Sequence, residues 1–105
     1  MRSQILWSER ARLDLLEIGD FIARDKPQAA AKWVGNIFDS IERTAAFPAS
    51  GRIVPEIDRS DIREVIFESY RIVYQLSETG IIILTVFESH RMLDRPTTDP
   101  TDNPS

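Results

Sequence analysis

The sequence predicts an α+β fold of the order β-α-α-β-β-β, and three observations carry that reading. Between Arg63 and Phe87, branched and aromatic residues fill three short runs parted by the small polar pairs Glu68-Ser69 and Thr79-Gly80, the signature of consecutive hairpins. From Glu9 to Ala46, apolar residues recur at helical spacing in two blocks divided by Asp25-Lys26-Pro27. Ahead of both, Ser3 to Trp7 sets Ile5 and Trp7 against polar neighbours, as a short strand does.

Taken in order, the strand at Ser3 to Trp7 should join the later meander and make a four-stranded sheet. Ser8 suits a helix N-cap and Glu9 favours the positive end of the helix dipole, so the first helix should start at Glu9. Ala11, Leu15, Ile18 and Ile22 form its apolar stripe, widened by Leu16 and Phe21, with Arg10, Asp14, Glu17, Asp20 and Arg24 facing water and Gly19 marking a close crossing. Proline disfavours helical geometry in the residue before it and is welcome at a helix's first position, so Pro27 opens a second helix. Its face is Ala30, Trp33, Val34, Ile37, Phe38, Ile41 and Ala45, and Phe47-Pro48 closes it after about Ala46. Ala49 to Asp61, with Ser50-Gly51, Pro55 and five charges, reads as an exposed connection.

In the meander, Arg63 and Arg71 alternate with apolar residues as on a half-exposed sheet. Ile81-Ile82-Ile83-Leu84 is apolar on both faces and should form the central strand. Trp7, Trp33, Phe38, Ile41, Val73 and Ile83 should share one core. One domain is expected over residues 1–96. Residues 97–105 hold prolines and no apolar side chain, predicting a loose tail whose deletion barely alters stability.

A chain of 105 residues leaves room for one modest core. No apolar run approaches the roughly 20 residues of a membrane span, and the first residues lack a signal-peptide core, so a cytoplasmic protein is expected. Without cysteine there is no disulfide or thiolate chemistry. One His and scattered carboxylates offer no metal-ligand spacing, and the four separated glycines offer no phosphate loop, so no cofactor is expected. The net charge of −4 opposes adhesion to phosphate backbones, and no direct nucleic-acid binding is expected of the chain alone. Eleven of the thirteen cations are nevertheless Arg, the planar donor suited to carboxylate or phosphate. A polar set at the strand ends, His90 and Arg91 near Arg71, fits part of an acid–base phosphate site. Equally, His90 suits a strand-end hydrogen bond and Arg71 an ion pair across the strands.

Tyr70-Arg71-Ile72-Val73-Tyr74, preceded by Arg63-Glu64 and followed by a hydrophobic strand and His90-Arg91, resembles the "YRIVY"-like strand of the RelE/ParE superfamily of small toxins, over roughly residues 3 to 95. In the RelE branch an Arg of that strand, matched by Arg71, and a basic residue beyond the last strand, matched by His90 or Arg91, serve ribosome-dependent mRNA cleavage. The lysines that branch carries on the first meander strand have no match, since Ile62 and Glu64 stand there, and Thr97 stands about where a tyrosine is expected. The opening helical hairpin, Arg63-Glu64 and the acidity look more like ParE, whose members poison DNA gyrase by protein–protein contact. The resemblance therefore implies a toxin causing growth arrest, with gyrase as target, a small ParD-like antitoxin as partner, no favoured catalytic residue, and binding through Arg63, Arg71, Tyr74, His90 and Arg91. Arg71→Ala and His90→Ala are then expected to fold and keep much of their toxicity. The alternatives are a RelE-like endoribonuclease using Arg71, His90 and Arg91, and an inactive toxin fold kept as a binding module.

Overall fold

The computed structural model describes residues 3–89. Strand β1 (Gln4–Trp7) is followed by helices α1 (Glu9–Asp25) and α2 (Pro27–Ala46), a 3-10 turn at Pro48–Ser50, and strands β2 (Arg52–Ile53), β3 (Ile62–Phe67), β4 (Tyr70–Leu76) and β5 (Gly80–Glu88). Ser8 caps α1 as its side chain predicts. Its hydroxyl oxygen accepts from the Ala11 amide at 3.0 Å and donates to the Leu84 carbonyl at 2.8 Å, so one residue both starts the helix and ties it to β5. Pro27 opens α2 at its first position.

Among the described residues the sheet has five strands rather than four, in the order β1-β5-β4-β3-β2. The unforeseen strand is β2, two residues pairing Arg52 with Glu64 and Ile53 with Arg63 inside the segment read as an open connection. With β1 added outside β5 and β2 outside β3, the centre falls on β4, not on Ile81–Leu84 as expected. β1 runs parallel to β5, Gln4 to Trp7 lying beside Gly80 to Ile83, whereas all other pairs are antiparallel.

That parallel approach explains Gly80 better than a turn does. A Cβ there would stand 1.9 Å from the Gln4 carbonyl oxygen and 2.6 Å from its nitrogen, so any side chain pushes β1 off the sheet. Gly80→Ala is expected to cost upwards of about 3 kcal/mol in denaturant unfolding.

Both helices cover one face of the sheet. Ala11, Trp33, Ile37, Ile41 and Ala45 meet Ile72, Tyr74, Ile81, Ile83 and Val86 there. Val73 points the other way, as alternation along β4 requires, and joins Val54 and Ile62 in a second cluster with Ile57, Leu84 and Phe87. The single shared core is therefore corrected to two layers, and Phe38 lies at the rim, 41% exposed and edge-on to Trp7. Leu16 and Phe21 do not widen the buried stripe, being 64% and 69% exposed. At 3.6 residues per turn Leu16 lies about 140° round α1 from Ala11, outside the arc facing the sheet. Asp14, expected in water, instead turns inward and accepts from the Thr85 hydroxyl at 2.5 Å and the Val86 amide at 3.1 Å.

Candidate protein-interaction surface

Of the polar residues of Tyr70-Arg71-Ile72-Val73-Tyr74, Arg71 and Tyr74 are buried and Tyr70 is half-buried. Arg71, on the face of β4 away from the helices, is 5% exposed, and Glu64 opposite on β3 is 1% exposed. Arg71 Nε donates to Glu64 Oε1 at 2.6 Å, while Nη1 and Nη2 donate to the Glu56 carboxylate at 2.8 and 2.9 Å. Arg52 closes on the other Glu64 oxygen, and the Arg71 guanidinium lies 5.0 Å from the centre of the Phe87 ring. Hydrogen bonds to Glu56, against the cost of burial and with help from Glu64, hold Arg71 above its ordinary pKa, so it stays charged. The half-exposed reading of Arg71 and of β3 is thus corrected: the face is covered by segment 48–61, and the covered charges are paired as burial demands.

Tyr74 and Arg63 hold the same segment. The Tyr74 hydroxyl accepts from the Gly51 amide at 3.0 Å and donates to the Pro48 carbonyl at 2.6 Å. Arg63 donates to the carbonyls of Ser60, Ala49 and Gly51 at 2.8, 3.0 and 2.9 Å. Burial pushes the Tyr74 hydroxyl above its usual pKa, with the Gly51 amide and Arg63 pulling the other way. The neutral phenol is the folded form, so its contribution is full below the ordinary value near 10 and is lost as pH rises through the folded one. Tyr74→Phe leaves the Gly51 amide and Pro48 carbonyl without that partner and is expected to cost about 1–3 kcal/mol in chemical denaturation.

Of the five residues expected to bind, Arg63, Arg71 and Tyr74 converge on segment 48–61, and His90 and Arg91 lie outside the described residues, as do residues 97–105. Among the described residues no three His, Cys, Asp or Glu side chains gather as a metal site, and no helix is long and apolar enough to cross a membrane.

The open surface lies elsewhere. Ile5, Leu6, Trp7, Leu15, Leu16 and Phe38, with Arg12, line a groove of about 560 Å³ between β1, α1 and α2. Leu6, Leu16 and Phe38 are 52%, 64% and 41% exposed, and β1 is an edge strand of the sheet. Contiguous apolar exposure beside a strand edge marks a surface built for protein contact. Sequence reading had assigned Leu16 and Phe38 to the core. Their angular offset from the buried stripe was the signal that placed them outside it.

Residues 5–93 match the family described as "ParE toxin of type II toxin-antitoxin system, parDE". The chain is 39% identical over 92 residues, 86% of its length and 92% of the relative's, to a curated protein of Sinorhizobium fredii (strain NBRC 101917 / NGR234) named "Putative toxin Y4kP". A solved structure titled "Chromosomal ParDE TA system from P. aeruginosa" superposes with a TM-score of 0.69 over 84% of this chain and 96% of that one, at 22% identity, a likeness of fold. With the family matched along nearly the whole folded region, the chain belongs to the ParE toxins of type II toxin–antitoxin systems.

Proposed function

We propose that this toxin acts by binding DNA gyrase rather than by cutting RNA, and that a small cognate antitoxin neutralises it by covering the groove between β1, α1 and α2. The observation that carries the first half is the state of Arg71. A cation that stabilises a phosphorane needs donors aimed at the substrate, and the Arg71 donors are directed at Glu56 and Glu64. Supporting the second half, Leu6, Leu16 and Phe38 offer the exposed anchors on which protein contacts concentrate their energy. The related P. aeruginosa chain comes from a ParDE system, and an antitoxin segment laid in the groove as a helix or as a strand along β1 uses a familiar mode of peptide recognition.

Expression in a bacterium should arrest growth and produce double-strand DNA breaks, with mRNA intact. Ribosome-dependent mRNA cleavage without DNA breaks would instead establish the endoribonuclease reading. Co-expression of a small protein encoded beside this gene should restore growth. Leu16→Glu should weaken its binding by about tenfold or more, leaving the toxin's fold intact.

A further inference from the structure

We infer that segment 48–61 is a hinged strap, latched shut over the second face of the sheet by the Glu56–Arg71 pair and able to open while the helical layer stays folded. Its two ends and its middle are held by different chemistry. Near the ends, hydrogen bonds between side chains and main-chain groups, with no carboxylate involved, form a hinge: Tyr74 holds Pro48 and Gly51, and Arg63 ties Ala49 and Gly51 to Ser60. In the middle, Glu56 meets Arg71 through two hydrogen bonds. Between them Val54 is fully buried and Ile57 packs beside it. The strap adds only two residues to the sheet ladder.

An ion pair is a different kind of fastening from the packing that joins the helices to the sheet. Its attraction is largely offset by the water both charges give up, so the closed strap gains little net stability from the latch. Loss of the Glu56 charge shifts that balance sharply, because Arg71 remains buried and charged with Glu64 shared between it and Arg52. Elements joined by few apolar contacts open locally, below the free energy of global unfolding. Opening bares Ile62, Val73, Leu84 and Phe87 beside the Arg71 guanidinium, an apolar strip with a cation at one end.

Amide hydrogen exchange on the full chain tests this. The Val54 amide donates to Ile62 across to β3 and reports on closure directly, whereas the Ile57 and Asp58 amides donate to Val54 inside the strap and report on loosening of its own turn. In the wild type they should exchange faster than the amides of Ile72 in β4 and Ile37 in α2. In Glu56→Gln they should exchange about tenfold faster again or more, with Ile72 and Ile37 unchanged. Should Glu56→Gln not fold, the triple variant Glu56→Gln/Glu64→Gln/Arg71→Met, which leaves no buried charge unpaired, should keep strap amides that exchange faster than those of Ile72 and Ile37 over a slow core. Strap amides as slow as those of β4 in the wild type, or a variant that speeds all segments equally or none, would overturn the inference.

Discussion

Ile83→Asp is expected to abolish folding of the toxin. Ile83 is fully buried, lying between Trp7 of β1 and Tyr74 of β4 in the layer covered by both helices. Substitution removes an aliphatic side chain worth about 2–5 kcal/mol in such a site and places a carboxylate in a cluster that, among the described residues, is built of apolar side chains and Tyr74. Leaving that charge unpaired adds several kcal/mol more. A domain of this length has roughly 5–15 kcal/mol to lose, so circular dichroism of the variant should show no cooperative melt. A soluble variant melting near the wild type would mean that β5 is not where the structure puts it.

Arg71→Ala should destabilise the protein by about 3–5 kcal/mol, because it strands Glu64 in a buried site with only Arg52 left and removes two hydrogen bonds from Glu56. The family resemblance led to a different expectation, a variant that folds and keeps much of its toxicity. Replacing Arg71, Glu56 and Glu64 together by apolar side chains of similar size should recover most of the loss, as read from urea midpoints. Lost toxicity in Arg71→Ala is therefore no sign of catalysis. The nature of the lesion made by the wild type, broken DNA or cut mRNA, is the informative measurement.

The elements were legible because their signals are local. Ser8, Pro27 and the pair Glu68-Ser69 each act within a turn of chain, and the structure has helices and hairpin where those residues put them. What escaped the sequence depends on residues far apart. Arg71 looks half-exposed when charges alone are counted. Yet its neighbour on the same face is Val73, and Glu64 shares its face with Ile62, a pattern that already implies something lying over both. The missing cover, segment 48–61, disguises itself with Pro55, Asp58 and Arg59 on its outer side and shows its inward use through Val54, Glu56 and Ile57. The parallel pairing of β1 has no local signal except Gly80, whose place is equally natural in a turn. The family resemblance identified the strand correctly, and the positions of its side chains came from the cover.

The parallel pairing of β1 with β5 also sets when the toxin can exist. Gln4 lies beside Gly80, and Ser8 reaches Leu84 across 76 residues of sequence, so β1, made early, waits for β5. Until β5 emerges, the helical hairpin has lost neither its apolar faces nor their need of a partner, and β1 has no edge to join. Non-local closure of this kind comes late and slowly relative to helices and hairpins. A nascent chain therefore carries its helices some distance from the ribosome before the sheet that gives them shape is complete. During that interval any partner meets exposed apolar segments and not a finished surface, and binding during synthesis has to proceed by co-folding.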